Sequence, residues 1–249
     1  MRPGAPAALV GVIAACLVVL PRASRAGTVV GKLELPPAPE RAPVIARGFV
    51  DRVENPFAEI KKPAVAPYLA VVLERVEAAG RDSKAEAPAQ VSWDLVGESF
   101  ARPVVAVPVG AEVVIKNQTK VARTIAAAED PKLITGPLNP TGTKSFRAAQ
   151  PAIYTIADKD APHLHGKIVV VASAHVASVD DNGRFEMTEV PEGSYKLRVF
   201  YYDPSAEAHG QRSDWLPVAA DVAVPPRSKA SRTEVNIKLP ALVAAAGKQ

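Results

Sequence analysis

Cysteine is nearly absent: the 249-residue chain contains one, Cys16, inside an N-terminal apolar run. If that residue is removed with a cleaved leader, the remaining chain cannot form a disulfide bond, and an exported fold then depends on its core alone. The remaining chain also cannot supply the thiolate that a blue copper centre uses to hold its metal. The lack of cysteine therefore excludes both disulfide and copper–thiolate chemistry.

A strong charge of one sign is missing as well. The chain has 30 lysine and arginine residues against 26 aspartate and glutamate residues. Three of the basic residues, Arg2, Arg22 and Arg25, lie in the N-terminal leader, so the remainder is close to neutral. A near-neutral chain with interspersed charges argues against a nucleic-acid or anionic-membrane partner.

Catalytic motifs are also lacking. The sequence has no serine nucleophile elbow, no H-E-x-x-H zinc motif and no glycine-rich loop of the kind that cradles phosphate. Neighbouring carboxylates such as Glu129 and Asp130 lie in loop-like segments, where charged side chains are usually solvated. We therefore expect no catalytic residue and no enzyme activity.

The one long apolar run covers residues 7–20. A basic residue precedes it, and the small residues around Ser24-Arg25-Ala26 form a plausible cleavage site. At about 14 residues the run is too short to cross a bilayer comfortably. We expect residues 1–26 to be a signal peptide and the mature protein to be periplasmic or secreted, without a transmembrane segment. The alternative is a lipid anchor on Cys16, because Ile13-Ala14-Ala15-Cys16 looks like a lipobox.

Strand-like segments dominate the rest of the chain. An alternating segment, 28–35, and a short apolar segment, 68–74, flank a proline-rich stretch that we expect to be an extended loop. From residue 90 onward, short alternating or apolar runs are separated by turn residues. The segments are 91–96, 104–107, 112–116, 123–127, 144–147, 153–157, 167–171, 176–179, 184–188, 195–201, 219–224 and 234–239. With no convincing amphipathic helix, this spacing predicts an all-β sandwich or barrel.

Two motifs in the middle of the chain carry a family resemblance. Phe100–Asn117 contains an aromatic-x-x-Pro strand, a Pro-x-Gly turn and a strand ending in Asn, and Tyr154–Ile168 has an aromatic-led strand followed by a short loop. Both motifs resemble the cupredoxins, small copper proteins of the plastocyanin type. The resemblance implies a Greek-key β-sandwich over residues 90–172. The earlier strands resemble the N-terminal extension of a methylamine-utilisation-like exported subgroup, which implies that residues 27–89 pack on this domain.

The resemblance also implies that the copper ligands have been replaced. Arg123 stands where the family has its first histidine, and Asp158 stands at the cysteine position. Ala161 and Leu164 take the positions of the second histidine and the methionine. Because none of the four supplies a thiolate or an imidazole, the resemblance implies a copper-free domain. We hypothesise that Arg123 and Asp158 form an ion pair in place of the metal; the alternative is that both face solvent.

His163 and His165 are the candidate metal ligands that remain. At positions i and i+2 of a strand they would project to the same face, and imidazoles bind Cu(II) or Zn(II). A third ligand would come from Asp158, Asp160 or His175. The alternative is a pair of surface histidines at the entrance of a strand. We expect no cofactor, with copper or zinc as the alternative.

A second resemblance covers residues 173–202 and implies a domain over residues 173–240. Asp181-x-Gly183-x-Phe185, followed by Val190-Pro-x-Gly-x-Tyr195-x-Leu, is similar to carboxypeptidase regulatory-like domains, which are transthyretin-like β-sandwiches. The pattern supplies turns and core aromatic residues, at Phe185 and Tyr195, so it implies a smaller second β-sandwich and no particular activity. We expect residues 241–249 to form a flexible tail.

Aromatic residues near the end of a strand give a hint of binding. One or two rings of Phe200-Tyr201-Tyr202 must leave the core face, and Trp215 follows a few residues later. Tyr201, Tyr202 and Trp215 are therefore candidates to stack on a sugar or contact another protein. The alternative is that these rings cover the seam between the two domains.

These expectations favour a non-catalytic binding or scaffold protein of the bacterial cell envelope, with an envelope protein or a glycan as its partner. The bacterial setting is implied by the first resemblance. Two other functions stay open. One is a copper-binding or electron-transfer protein with a remodelled histidine site, and the other is a carbohydrate-binding module.

Overall fold

The structure, a computed structural model, describes residues 26–35, 65–76, 90–204, 207, 213–225 and 232–240. Over these residues the chain forms fifteen strands, and the all-β prediction is confirmed. The predicted leader, most of the proline-rich loop and the predicted tail 241–249 lie outside the described residues. None of the described helices has the length and apolar character needed to cross a bilayer.

The strands fall into three stretches of the chain. The N-terminal stretch contributes β1 (Ala26–Glu34) and β2 (Leu69–Arg75). The middle stretch contributes β3 (Gln90–Val96), β4 (Ser99–Phe100), β5 (Val104–Pro108), β6 (Glu112–Asn117), β7 (Ile125–Ala127), β8 (Thr143–Arg147), β9 (Ala152–Asp158) and β10 (His165–Val171). The C-terminal stretch contributes β11 (Val176–Ser178), β12 (Arg184–Pro191), β13 (Gly193–Tyr201), β14 (Asp214–Val224) and β15 (Arg232–Lys238).

The described strands form four sheets. Sheet 1 has the strand order β4-β3-β6-β8, sheet 2 β5-β10-β9-β7, sheet 3 β11-β2-β13-β14 and sheet 4 β12-β1-β15. Sheets 1 and 2 enclose one apolar core, around Trp93, Ile115 and Ile168. Sheets 3 and 4 enclose a second, around Leu73 and Leu197. The two pairs of sheets are the first and second sandwich.

A third apolar cluster joins the two sandwiches. It lies between sheets 2 and 3 and includes Val72, Val169 and Phe200. We call this contact the seam. The four sheets therefore stack as layers in numerical order, and the two inner sheets are covered on both faces where β2, β5 and β10 meet at the seam.

The layer that a strand occupies explains its sequence pattern. All five residues of β5 are buried, as are the first five of β2, because both strands belong to inner sheets. A strand covered on both faces reads as a continuous apolar run. In the outer strand β12, by contrast, Phe185 and Met187 point into the core while Arg184 and Glu186 are exposed. Alternation of this kind is typical of a sheet with one face in solvent.

The N-terminal strands join the second sandwich. Strand β1 lies between β12 and β15, and β2 lies between β11 and β13. The expectation that residues 27–89 pack on the domain of residues 90–172 is therefore wrong for the backbone pairing of both strands. The inward residues Val29 and Leu33 of β1 complete the core with Phe185, which accounts for the pairing. The face of β2 that carries Ala70 and Val72 packs against the first sandwich, as does Tyr68 just before this strand.

The two aromatic residues expected in the core of the second sandwich are there. Phe185 and Tyr195 are 3% and 1% exposed. The Phe185 ring lies directly over Gly31 of the paired strand, in space that a β-carbon would need. A strand glycine of this kind permits close approach of a neighbouring side chain. The Tyr195 hydroxyl donates to the Pro191 carbonyl oxygen at 2.9 Å.

Candidate functional site

The pairing of β7 with β9 brings Arg123 and Asp158 to one end of the first sandwich. Ile125 of β7 is paired with Asp158, the last residue of β9. Arg123 lies two residues before Ile125, and an isolated backbone bridge to Leu138 holds it in place. Arg123 therefore precedes the start of β7 and Asp158 is at the end of the neighbouring antiparallel strand β9, so both lie at the same end of sheet 2.

The two side chains form a buried ion pair. Arg123 Nη1 lies 3.7 Å from Asp158 Oδ2, and the side chains are 10% and 1% exposed. Arg123 Nη2 also lies 3.9 Å from Oε1 of Glu98, a side chain that is 73% exposed. Asp158 Oδ1 accepts a hydrogen bond from the Asp160 backbone N–H at 2.8 Å. The structure therefore has the ion pair that the sequence suggested.

Hydrogen bonding within this pair is incomplete. Arg123 Nε and Asp158 Oδ2 are both buried without a hydrogen-bond partner. The 3.7 Å contact exceeds ordinary hydrogen-bond length, so the attraction is chiefly between the two charges. A buried pair of this kind depends strongly on the presence of both partners.

The other two predicted ligand positions are hydrocarbon. Leu164 is fully buried and Ala161 is 8% exposed, and both belong to the core of the first sandwich. A turn joins them, in which the Leu164 N–H donates to the Ala161 carbonyl oxygen at 2.8 Å. Neither side chain has a donor atom, and the guanidinium of Arg123 is a cation without an acceptor lone pair. The four residues therefore do not fit a copper ion.

Asn117 ties the loops at this end together, a role that sequence reasoning did not assign to it. Its buried Nδ2 group donates to the carbonyl oxygens of Val121, Leu138 and Asn139 at 2.8, 3.3 and 3.1 Å. Its Oδ1 accepts from the hydroxyl group of Thr119 at 2.7 Å. Because Leu138 bridges to Arg123, Asn117 helps to fix the position of the ion pair.

The two candidate histidines point to different partners. His163 lies in the turn before β10, 60% exposed, with its Nε2 3.0 Å from Glu98 Oε2. His165 is the first residue of β10; its Nδ1 is 3.0 Å from the Pro162 carbonyl oxygen and its ring meets Tyr202 edge-on at 6.3 Å. The expectation that both lie on one strand face is wrong, because the strand begins only at His165. Among the described residues, no three His, Cys, Asp or Glu side chains are arranged to hold a metal.

The candidate binding aromatics lie largely inside the molecule. Tyr202 is 1% exposed and belongs to the seam cluster, with the Tyr68 ring 6.1 Å away. Tyr201, half-buried, packs against the core of the second sandwich. Trp215 is also half-buried; it meets Phe200 edge-on, and the Arg198 guanidinium lies 4.3 Å from its ring centroid. For Tyr202 the structure therefore shows the alternative, a ring that covers the seam, and not a binding surface.

Burial also affects the titration of the two tyrosines. It raises the pKa of Tyr201 to about 12, and the nearby Asp203 carboxylate adds to the effect. Burial, with a contribution from Glu207, also raises the pKa of Tyr202. Both phenols are therefore neutral at physiological pH.

The geometry defines the class of the molecule as an all-β protein of two sandwiches stacked through a shared apolar seam, with a buried charge pair at the end of the first. No family model matches the chain, and no curated protein sequence matches it.

Solved structures of cupredoxins are similar to about a third of the chain. A reduced amicyanin mutant is 19% identical with a TM-score of 0.30, over 32% of this chain and 81% of that chain. An amicyanin mutant in the Cu(I) form is 20% identical with a TM-score of 0.31, over 35% and 88%. A mutant plastocyanin of fern is 13% identical with a TM-score of 0.30, over 32% and 100%.

Proposed function

We propose that this chain is an exported, non-catalytic binding or scaffold protein of the bacterial cell envelope, and that its first sandwich holds no copper. The export and the envelope setting rest on the leader sequence and on the cupredoxin resemblance of the sequence. The single observation that carries the proposal is the buried pair of Arg123 and Asp158, at two positions where the resemblance implies copper ligands.

The charge of the pair supports a copper-free site. Arginine stays protonated at every physiological pH, so a copper ion near Arg123 would meet a like charge in a buried setting. Asp158 offers a carboxylate, but its charge is already balanced by the guanidinium at 3.7 Å. Leu164 and Ala161 close the site with hydrocarbon.

A protein partner fits the described surface better than a glycan does. Sugar binding commonly uses an exposed aromatic face, whereas Tyr202 is buried and Arg198 stacks on Trp215. The second sandwich, whose sequence resembles transthyretin-like domains, then serves as a structural neighbour of the first. We therefore propose an envelope protein as the partner.

Metal titration tests the proposal. Residues 27–249 are purified beside a His163→Ala/His165→Ala variant, and metal content and Cu(II) affinity are measured for both. We expect no stoichiometric copper and equal, weak affinities. Stoichiometric binding by the natural chain that the double variant loses would replace the proposal by a remodelled histidine metal site. Quenching of Trp215 fluorescence by a glycan would favour the carbohydrate-binding function instead.

A further inference from the structure

A lysine lies buried at the seam between the two sandwiches. Lys167 belongs to β10 of sheet 2 and is 8% exposed. Val169 and Val171, the next residues on the same face of the strand, belong to the apolar seam cluster. An ammonium group removed from water at such a place needs a counter-ion and hydrogen bonds to be stable.

The counter-ion comes from the other sandwich. Lys167 Nζ lies 2.9 Å from Oε1 of Glu207, and it donates a hydrogen bond to the Thr155 hydroxyl at 2.7 Å. Glu207 lies between β13 and β14, the two strands at one side of sheet 3. The ion pair therefore crosses the seam. The Tyr202 ring lies beneath it, with its centroid 5.8 Å from the ammonium nitrogen.

Contacts within its own segment hold Glu207 in place. Its backbone N–H donates to the Asp203 carbonyl oxygen at 3.0 Å, and its carboxylate accepts from the Ser213 N–H at 3.3 Å. The side chains of Lys167 and Glu207 are 10% and 23% exposed, so water screens the pair only partly.

A second polar tie crosses the seam elsewhere. Arg102, in the segment between β4 and β5 of the first sandwich, donates from Nη1 to the Val179 carbonyl oxygen at 3.1 Å. Val179 follows β11 of the second sandwich. This bond ends on a backbone carbonyl and buries no second charge. The Lys167–Glu207 contact, in contrast, leaves a buried ammonium whenever it opens.

We propose that Lys167 and Glu207 form a charged clasp that keeps the seam closed, so that the two sandwiches move as one body. While the carboxylate is in contact, the burial of the ammonium is compensated. When the contact is lost, the ammonium must be hydrated, and water reaches the apolar faces of β2, β5 and β10. Replacement of the lysine by an apolar side chain of similar length removes this requirement.

Amide hydrogen exchange of the full chain tests the clasp. In a Glu207→Gln variant we expect exchange at least about tenfold faster in β2, β5 and β10, because the seam opens more often. Strands β3 and β6 of sheet 1 should keep their rates. In a Lys167→Met/Glu207→Gln variant the seam strands should return towards their natural rates. Glu129→Gln is the matched control, since Glu129 accepts from the Thr155 hydroxyl but is exposed and makes no ion pair with Lys167.

Three results would overturn the clasp. Unchanged exchange in Glu207→Gln would mean that the contact is an ordinary surface pair. Equal acceleration in all four sheets would mean a general loss of stability without selective opening of the seam. Failure of the double variant to recover would show that Glu207 acts without Lys167.

Discussion

The buried pair of Arg123 and Asp158 allows a quantitative prediction. At 3.7 Å, the direct attraction is about 4 kcal/mol at an effective dielectric constant of about 20. Desolvation of both groups offsets much of this attraction, so the net contribution of the pair to stability is smaller. Loss of one partner is different, because it leaves a charge buried without compensation. We expect Asp158→Ala and Arg123→Ala each to lower the free energy of unfolding by about 3 kcal/mol.

The double variant Arg123→Ala/Asp158→Ala shows whether the two residues stabilise the protein through their interaction or independently of each other. With both charges removed, the loss should be smaller than the sum of the two single losses by about 2 kcal/mol or more. Glu98 limits the coupling only slightly, because its carboxylate is 3.9 Å from Arg123 and mostly in water, where such contacts contribute under about 1 kcal/mol.

Urea unfolding measures the four free energies. Trp93 in the core of the first sandwich and Trp215 beside the seam are the two tryptophans of the chain, so fluorescence monitors both sandwiches. Arg147 and Glu112 form a solvent-accessible pair at 3.3 Å and serve as the matched control cycle, for which we expect the two single losses to add. Additivity of Arg123→Ala and Asp158→Ala within about 0.5 kcal/mol would refute the reasoning.

Three further predictions concern the interior. The Tyr202 hydroxyl is buried without a hydrogen-bond partner, so Tyr202→Phe should leave stability unchanged or raise it by up to about 1 kcal/mol at neutral pH, as thermal unfolding would show. Because their pKa values are raised, Tyr201 and Tyr202 favour their neutral forms in the folded protein. Their contribution to the free energy of unfolding should be complete below pH 10.0, the ordinary pKa of tyrosine, and should be lost as the pH rises towards 12 and beyond. A pH series of melting temperatures should show this fall, and Tyr202→Phe should lessen it; an equal fall in both proteins would contradict the assignment. At Gly166, a β-carbon would lie 2.7 Å from a Trp93 ring carbon and 2.9 Å from the Pro103 carbonyl oxygen, so Gly166→Ala should cost about 1–3 kcal/mol in a urea titration. An unchanged midpoint would show that the first sandwich can relax there.

The strand content was predictable because each layer of the stack leaves its own pattern in the sequence. Segments 68–73, 104–107 and 168–171 are apolar on successive residues, and they lie in strands of the two inner sheets or directly before one. The pattern shows that a strand is buried, but it does not show which strand lies beside it. Pairing of β1 with β12 and β15 depends on residues more than 150 positions away, and nothing local in Thr28–Leu35 specifies them.

The candidate site was predictable in part. The resemblance of the sequence to the copper-ligand loop correctly suggested that Arg123 and Asp158 lie together, and the segments that carry them are neighbours in sheet 2. His163 does not share a strand face with His165, because β10 begins only at His165 and His163 lies in the turn before it. The alternative, two histidines at the entrance of a strand, describes them. Burial of Tyr202 was one of two alternatives that the sequence left open, because the aromatic run at the end of β13 does not show whether a second sheet covers its outward face. The sequence did contain one indication of the ion pair at the seam, because Lys167 is a single charged residue at the start of an apolar run.

The pairing of β1 and β2 gives the chain an unusual order of assembly. Strands β3 to β10 are continuous in sequence and enclose their own core, so all strands of the first sandwich are present once residue 171 has been synthesised. The second sandwich, however, needs the earliest and the latest segments together, because Thr28 of β1 pairs with Arg232 of β15. In topological terms the first sandwich is an insertion in the connection between β2 and β11. A fragment that begins after residue 172 would therefore lack a central strand in each of its two sheets, and during synthesis β1 and β2 have no partner strand until residues 176–201 have been made.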